Sequence, residues 1–442
     1  MGTFKITKSN LLKKQFLLEE TVEMGNIRET YENENINIFD DVCYQSVLGF
    51  GGAFTEASAY NYSLMDEENK RKFIELYFDK SKGNAYNFGR ACIQSSDFSL
   101  DTYTYVEEGD KTLETFSIER DKKYIIPLIR DAVAYCQEEL VLFASPWSPP
   151  AYMKDNGSMV GGELLPEYKK LWAMYYAKFI KAYAKEGIKI SALTIQNEPK
   201  ARNQTWECCY YSPKDEQEFI RDYLAPTLDS EGLSDVKIII WDHNKERVYD
   251  RAKEVLNDET VNKRVWAVGH HWYSGDHFEG MRLVHEQLNK PLICTEFTAK
   301  ITWDANELAE RYGVEMCENF NNFDIACCDW NILLDKDGGP FHDREVGCYA
   351  PIQYDREKKE IILTPIYYYI GHFSRFVHRG AKRIAVTKYT RDLHVCAFLN
   401  EDGTRVVILI NTSDRDLPAN IRYRGTSTHI ETEAHSIATI CF

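Results

Sequence analysis

The 442-residue chain lacks long apolar runs, paired cysteines at zinc spacing and a phosphate-cradling glycine loop, and it is poor in positive charge. Its longest apolar runs, such as Val406 to Ile410, fall far short of the ~20 residues a membrane-spanning helix needs. Lys and Arg total 53 against 69 Asp and Glu, a formal charge of −16. That balance disfavours nucleic acid and anionic membranes, because both would repel the chain. No Cys-x-x-Cys pair occurs among the 12 cysteines, which argues against a zinc ribbon. There is no Gly-x-Gly-x-x-Gly and no Walker loop, and Gly49-Phe50-Gly51-Gly52 has the wrong spacing to cradle phosphate. Its glycines are expected instead to let a strand pack closely. No cofactor is expected. The N-terminus, Met1 to Lys8, lacks an apolar signal region, and adjacent cysteines at 208/209 and 327/328 read as reduced thiols, so a cytoplasmic location is expected.

What is present is a generous aromatic supply, 28 Tyr, 22 Phe and 8 Trp, and a hydrophobic fraction of 44% that supports a large core. Between residues 45 and 375, short apolar segments alternate with amphipathic stretches. Strands are expected at 46–52, 84–94, 139–144, 190–196, 236–241, 265–271, 291–295 and 324–330. Helices are expected between them, at 66–78, 118–136, 167–185, 214–229, 278–288 and 305–321. Strands alternating with helices predict a parallel sheet, and eight such units favour closure into a (β/α)8 TIM barrel. After a last helix (365–377) the texture becomes short and alternating, which predicts a small β-sandwich over 376–442. Residues 1–44 lack barrel periodicity, and 36–39 could supply an edge strand to that side domain. No Pro- or Ser-rich linker separates the two parts, so a rigid junction is expected.

Two carboxylates dominate the functional reading. Glu198, in Gln-Asn-Glu-Pro, and Glu296, in Thr-Glu-Phe, each follow an apolar run that reads as a buried strand. An unpaired carboxylate there would cost several kcal/mol if it served only packing. Counting strands puts them after the fourth and seventh, facing each other across the barrel mouth, where they could serve as acid/base and nucleophile on a glycosidic bond. Asn197 could hold a sugar 2-hydroxyl. Other strand ends carry Arg90 and Asp97, Trp147, Trp241-Asp242-His243, His271-Trp272-Tyr273 and Trp330-Asn331; indole faces stack on pyranose rings and charged groups read hydroxyls. His270 and His271, adjacent on a strand, point to opposite faces and cannot chelate together, so no metal is expected.

Gly-Phe-Gly-Gly-Ala-Phe-Thr-Glu (49–56), Ser-Asp-Phe-Ser (96–99), Ser-Pro-Trp-Ser-Pro-Pro-Ala-Tyr-Met-Lys (145–154), Gln-Asn-Glu-Pro (196–199), His-Trp-Tyr (271–273), Thr-Glu-Phe (295–297), Trp-Asn (330–331), Gly-Gly-Pro (338–340) and Gly-His-Phe-Ser-Arg-Phe (371–376) occur in this order. Together they resemble glycoside hydrolase family 30, in its glucosylceramidase-like branch. The resemblance implies a barrel with a side β-sandwich built from both chain ends, and retaining hydrolysis of β-glycosides without metal or cofactor. It implies Glu198 as acid/base and Glu296 as nucleophile. Arg90, Asp97, Trp147, Asn197, His271 and Trp330 would line the sugar pocket, and Tyr273 would bond near the nucleophile. The stretch 341–349 departs from the family where a sugar-contacting Asn is known, and is expected to face the aglycone or outer hydroxyls.

The function expected is therefore an exo-acting β-glucosidase, with β-1,6-glucanase or β-xylosidase action, transglycosylation and a silent carbohydrate-binding role as alternatives. The partner is a small β-glycoside or oligosaccharide. As the acid, Glu198 is expected to hold its proton near neutral pH through a raised pKa.

Overall fold

A computed structural model describes residues 3–26, 32–201, 205–342 and 344–442. Eight parallel strands close a barrel: Gly49–Phe54, Phe88–Ile93, Val141–Pro146, Ile190–Thr194, Lys237–Asn244, Val265–His271, Leu292–Glu296 and Asp324–Asn331. Each pairs with its sequence neighbours, and the eighth returns to the first through Ala326↔Gly49. Both faces of these strands are covered, so they read as continuous apolar runs rather than alternating ones. Phe88, Phe143, Ala192, Ile239, Ala267, Ile293, Ala326 and Cys328 fill the barrel interior. Gly51 illustrates why the first strand is glycine-rich: a Cβ there would lie 1.5 Å from the Phe88 carbonyl oxygen.

The helices begin where their capping chemistry dictates. Asp66 caps Glu67–Phe78 and Asp304 caps Ala305–Asn321, each accepting from backbone N–H groups in the first turn. The expected helix at 118–136 is broken at Tyr124 into Glu119–Lys123 and Ile125–Tyr135. The one expected at 214–229 starts with a Ser212 capping box and loosens to a π-turn over Phe219–Leu224, ahead of Pro226, whose missing N–H interrupts the regular ladder.

The side domain is a ten-stranded assembly that draws on both chain ends. Thr3–Asn10 lies between Gln15–Glu23 and the C-terminal Ser436–Cys441; the two N-terminal strands were missed by the barrel-centred reading of the sequence. The strand expected at the edge, 36–39, is part of the longer Asn35–Ser46 and is interior. It pairs antiparallel with Lys382–Val386 and parallel with Leu417–Tyr423. A further strand, Thr426–Thr432, also escaped the sequence reading; its polar, threonine-rich pattern hides one buried face. Phe4, Ile36, Ile384, Leu409, Ile421 and Ile440 belong to a core of its own.

The junction between the two parts is packed. His372, fully buried on helix Pro365–Ser374, bonds through Nδ1 to Thr439 Oγ1 at 2.9 Å and through Nε2 to Ser9 Oγ at 2.8 Å. Helix 365–374 is thereby fixed to strands from both termini.

Candidate active site

The strand ends at one rim of the barrel depart from regular backbone where the site begins. Gln94, Glu198, Trp241 and Asp242 have φ of 62°, 49°, 73° and 52°, a left-handed conformation that non-glycine residues adopt at a cost of about 1–3 kcal/mol each. Surrounding bonds hold them there. The Glu198 N–H donates to the Asp242 carbonyl at 2.9 Å, and the Trp241 N–H donates to the buried Glu216 carboxylate, itself clamped by Arg251. A register shift between the sixth and seventh strands takes His270↔Cys294 to His271↔Glu296, so Glu296 rather than Thr295 comes to lie opposite His271.

Glu198 and Glu296 meet on the same side chain. His271 Nδ1 is 3.2 Å from Glu198 Oε1 and 3.9 Å from Glu296 Oε1, which caps the separation of those two oxygens at roughly 7 Å. His243 adds a second imidazole, 3.4 Å from Glu198. Glu296 is held by Arg90 Nη1 at 2.7 Å and by the Tyr273 hydroxyl at 2.9 Å. Arg90 reaches four partners more, Asn197 Oδ1 at 2.9 Å, Asp242 Oδ2 at 2.8 Å, Ser145 Oγ at 3.0 Å and the Thr295 carbonyl at 3.3 Å. Its guanidinium lies over the Trp147 and Trp330 rings, which stack on each other at 5.0 Å.

These distances correct part of the sequence reading. Arg90 and His271, expected to line the sugar pocket, are wholly buried beneath it and point at carboxylates. Their hydrogen bonds go instead to Glu296, Asp242 and Glu198. The residues that do line the cavity, of about 500 Å³, include Asp97, Trp147, Asn197, Tyr273 and Trp330 beside the two glutamates. Asp242, read from sequence only as one of several rim residues, takes His271 Nε2 at 3.0 Å on one oxygen and Arg90 on the other. Arg344, from the 341–349 stretch expected to face the substrate, also lines the cavity, as does Trp206, which was not foreseen because no strand-end motif marks it.

The loop 341–349, in which residue 343 lies outside the described residues, folds onto Asp97. Arg344 pairs with the Asp97 carboxylate and sits between the Phe98 and Trp206 rings. The His342 N–H donates to the Asp97 carbonyl, while its Nε2 is 3.0 Å from both oxygens of Glu207.

Electrostatics separate the carboxylates. Burial raises the Glu198 carboxyl, but the charges and hydrogen bonds of His243 and His271 outweigh it and hold Glu198 below its ordinary range. This reverses the raised value expected from sequence, because the two imidazoles are distant in the chain. Burial lifts Glu296, against the pull of His271 and Arg90 and with a further push from Glu198. Burial lowers His271, yet Glu296, Asp242 and Glu198 push it up to about 9. With a carboxylate oxygen facing each ring nitrogen, an imidazolium fits the geometry best. Glu198, His243 and His271 also offer donor atoms within 4.8 Å of one another, as do His270, Cys294 and Asp324 behind the barrel wall, and either trio could in principle hold a cation.

Residues 47–377 match the TIM-barrel domain of glycosyl hydrolase family 30, and residues 380–440 match the beta sandwich domain of the same family. The chain belongs to glycosyl hydrolase family 30. As a family 30 protein it is a glycoside hydrolase. It is 32% identical to lysosomal acid glucosylceramidase of Mus musculus over 86% of this chain and 77% of that protein. Among solved structures, SrfJ from Salmonella typhimurium superposes with a TM-score of 0.96 at 33% identity, covering 100% of this chain and 99% of that one. An endo-β1,6-glucanase superposes at 0.89 with 28% identity, over the same shares of the two chains. Among the described residues no helix is long and apolar enough to cross a membrane.

Proposed function

We propose that this family 30 hydrolase is a retaining, exo-acting β-glucosidase of glucosylceramidase-like specificity. The observation that carries the reading is the convergence of Glu198 and Glu296 on His271, with Arg90 and Tyr273 fixing Glu296. Retaining enzymes keep their two carboxyl groups ~5–5.5 Å apart, whereas inverting ones need ~6.5–9.5 Å to admit a water. Two oxygens within reach of one nitrogen favour the shorter class.

In this mechanism ionised Glu296 attacks the anomeric carbon, and Glu198 delivers a proton to the departing oxygen. Glu198 then takes a proton from the water that cleaves the glycosyl–Glu296 ester. Sugar binding strips water from Glu198, which raises its proton affinity, and His271 Nδ1 at 3.2 Å is the nearest proton source. The Glu198–His271 pair thus stores the catalytic proton. Asn197 meets the 2-hydroxyl and Asp97 the hydroxyls at the closed end. The Arg344–Asp97 pair supports exo action, because it walls that end of the cavity.

The second reading, endo cleavage of β-1,6-glucan, is favoured by the similarity to an endo-β1,6-glucanase. Digestion of a linear β-1,6-gluco-oligosaccharide separates them: exo action releases only glucose, while internal cuts yield shorter oligomers. Failure to cleave any aryl β-glucoside would remove the primary reading. A cytoplasmic location is part of the same proposal, resting on the twelve free thiols, most of them buried.

A further inference from the structure

The cavity extends past the two glutamates into a lobe built by the segment that follows the seventh strand. Lys300 and Trp303 lie on that segment, and Arg311 rises from helix Ala305–Asn321 to meet them. The Arg311 guanidinium stands 4.3 Å from the Trp272 ring and 5.3 Å from the Trp303 ring. Trp303 is 46% exposed, so one face of its indole is open to a ligand.

Charge makes this lobe unlike the rest of the site. Arg90 is committed to Glu296 and Asp242, and Arg344 to Asp97. Among the described residues no carboxylate lies within salt-bridge distance of Lys300 or Arg311. In a chain carrying 69 acidic and 53 basic residues, two uncommitted cations on one wall of a cavity are a marked asymmetry. They also offset the negative field of Glu198 and Glu296, which would otherwise repel an anion entering the same cavity.

We propose that this lobe is a leaving-group subsite for an oxyanion, a carboxylate, sulfate or phosphate, carried on the aglycone of the β-glucoside. Trp303 offers the stacking face, and Lys300 and Arg311 read the charge. At the Arg344–Asp97 pair the cation is neutralised; here it is available. This subsite rests on the β-glucosidase reading above.

The test compares kcat/KM for 4-nitrophenyl β-glucoside and for its ring-carboxylated analogue in the wild type, K300Q, K300E and R311Q. Taking the ratio of charged to neutral substrate within each protein, and then comparing proteins, cancels leaving-group acidity and any loss of folded enzyme. The ratio should fall about tenfold in K300Q and R311Q, the scale of one charge-assisted hydrogen bond, and further in K300E. It should also fall in the wild type at about 1 M salt, where the screening length is ~3 Å. Because Arg311 also packs on two indoles, the Lys300 pair decides. Normal turnover with an unchanged ratio in K300Q and K300E overturns the subsite alone. A wild type inert toward both glycosides sinks the β-glucosidase reading and the subsite with it.

Discussion

His271 Nδ1 lies 3.2 Å from Glu198 Oε1, and the opposite ring nitrogen is 3.0 Å from Asp242. An imidazole placed between two carboxylates in a buried site holds a proton that a solitary histidine would release near neutrality. In the proposed mechanism the acid/base acts through this Glu198–His271 pair, and the pH behaviour should show it.

The activity profile should be bell-shaped. Activity rises with pH as Glu296 loses its proton, at a value lifted above the ordinary carboxyl by burial. It falls again as the Glu198–His271 pair gives up its shared proton, toward about 9, where His271 titrates. His271→Asn should move the alkaline limb to lower pH, as read from kcat/KM on an aryl β-glucoside. An alkaline limb that does not move would dissociate His271 from the acid role.

Glu296→Gln should lower kcat by roughly 10⁴-fold or more, because no covalent intermediate can form. Glu198→Ala should be milder on aryl glucosides with good leaving groups and severe on alkyl glucosides, by about 10²–10⁴-fold. Azide should restore turnover in Glu198→Ala, giving the β-glycosyl azide, and in Glu296→Ala, whose emptied site admits it, giving the α-azide. The same anomer from both variants would contradict the double displacement.

Arg90→Ala should destabilise the fold as well as abolish activity. It would leave Glu296 and Asp242 as buried charges without their cation, a change that costs about 3–5 kcal/mol for a broken buried pair. Denaturant unfolding reads it. Arg90→Lys should recover little, since one ammonium cannot span Glu296, Asn197 and Asp242 together.

The junction should respond to acid through His372. Burial pushes this imidazole down to about 3, so the folded protein resists a proton that the unfolded chain accepts near 6.5. Its contribution is complete above 6.5 and is lost as pH falls from there through about 3, at up to ~1.4 kcal/mol per unit. Thermal melts at pH 7 and 4.5 should differ less in His372→Gln than in the wild type.

Much of the barrel was legible because its strands are buried on both faces. Val265–His271 and the helices 278–288 and 305–321 fall where apolar runs and helical periodicity put them. Strand ends at the rim shift by a few residues, because bulges and left-handed residues there obey the site rather than the pattern. The N-terminal strands were missed for a different reason. Gln15–Glu23 is almost wholly solvent-facing, so it carries no buried alternation, and Thr3–Asn10 acquires its meaning only by pairing with the last strand of the chain.

Residue type and local order alone settled that two glutamates follow two buried strands, since a carboxylate is costly to bury and each run of apolar residues must end somewhere. Side-chain partnership was decided only in three dimensions. That Arg90 and His271 serve the carboxylates, that Arg344 covers Asp97, and that two imidazoles hold the Glu198 carboxyl below its ordinary range all depend on contacts between residues 45 to 247 positions apart. Coulomb forces act over a few ångströms of space, and the folded barrel, not the order of the chain, sets those ångströms.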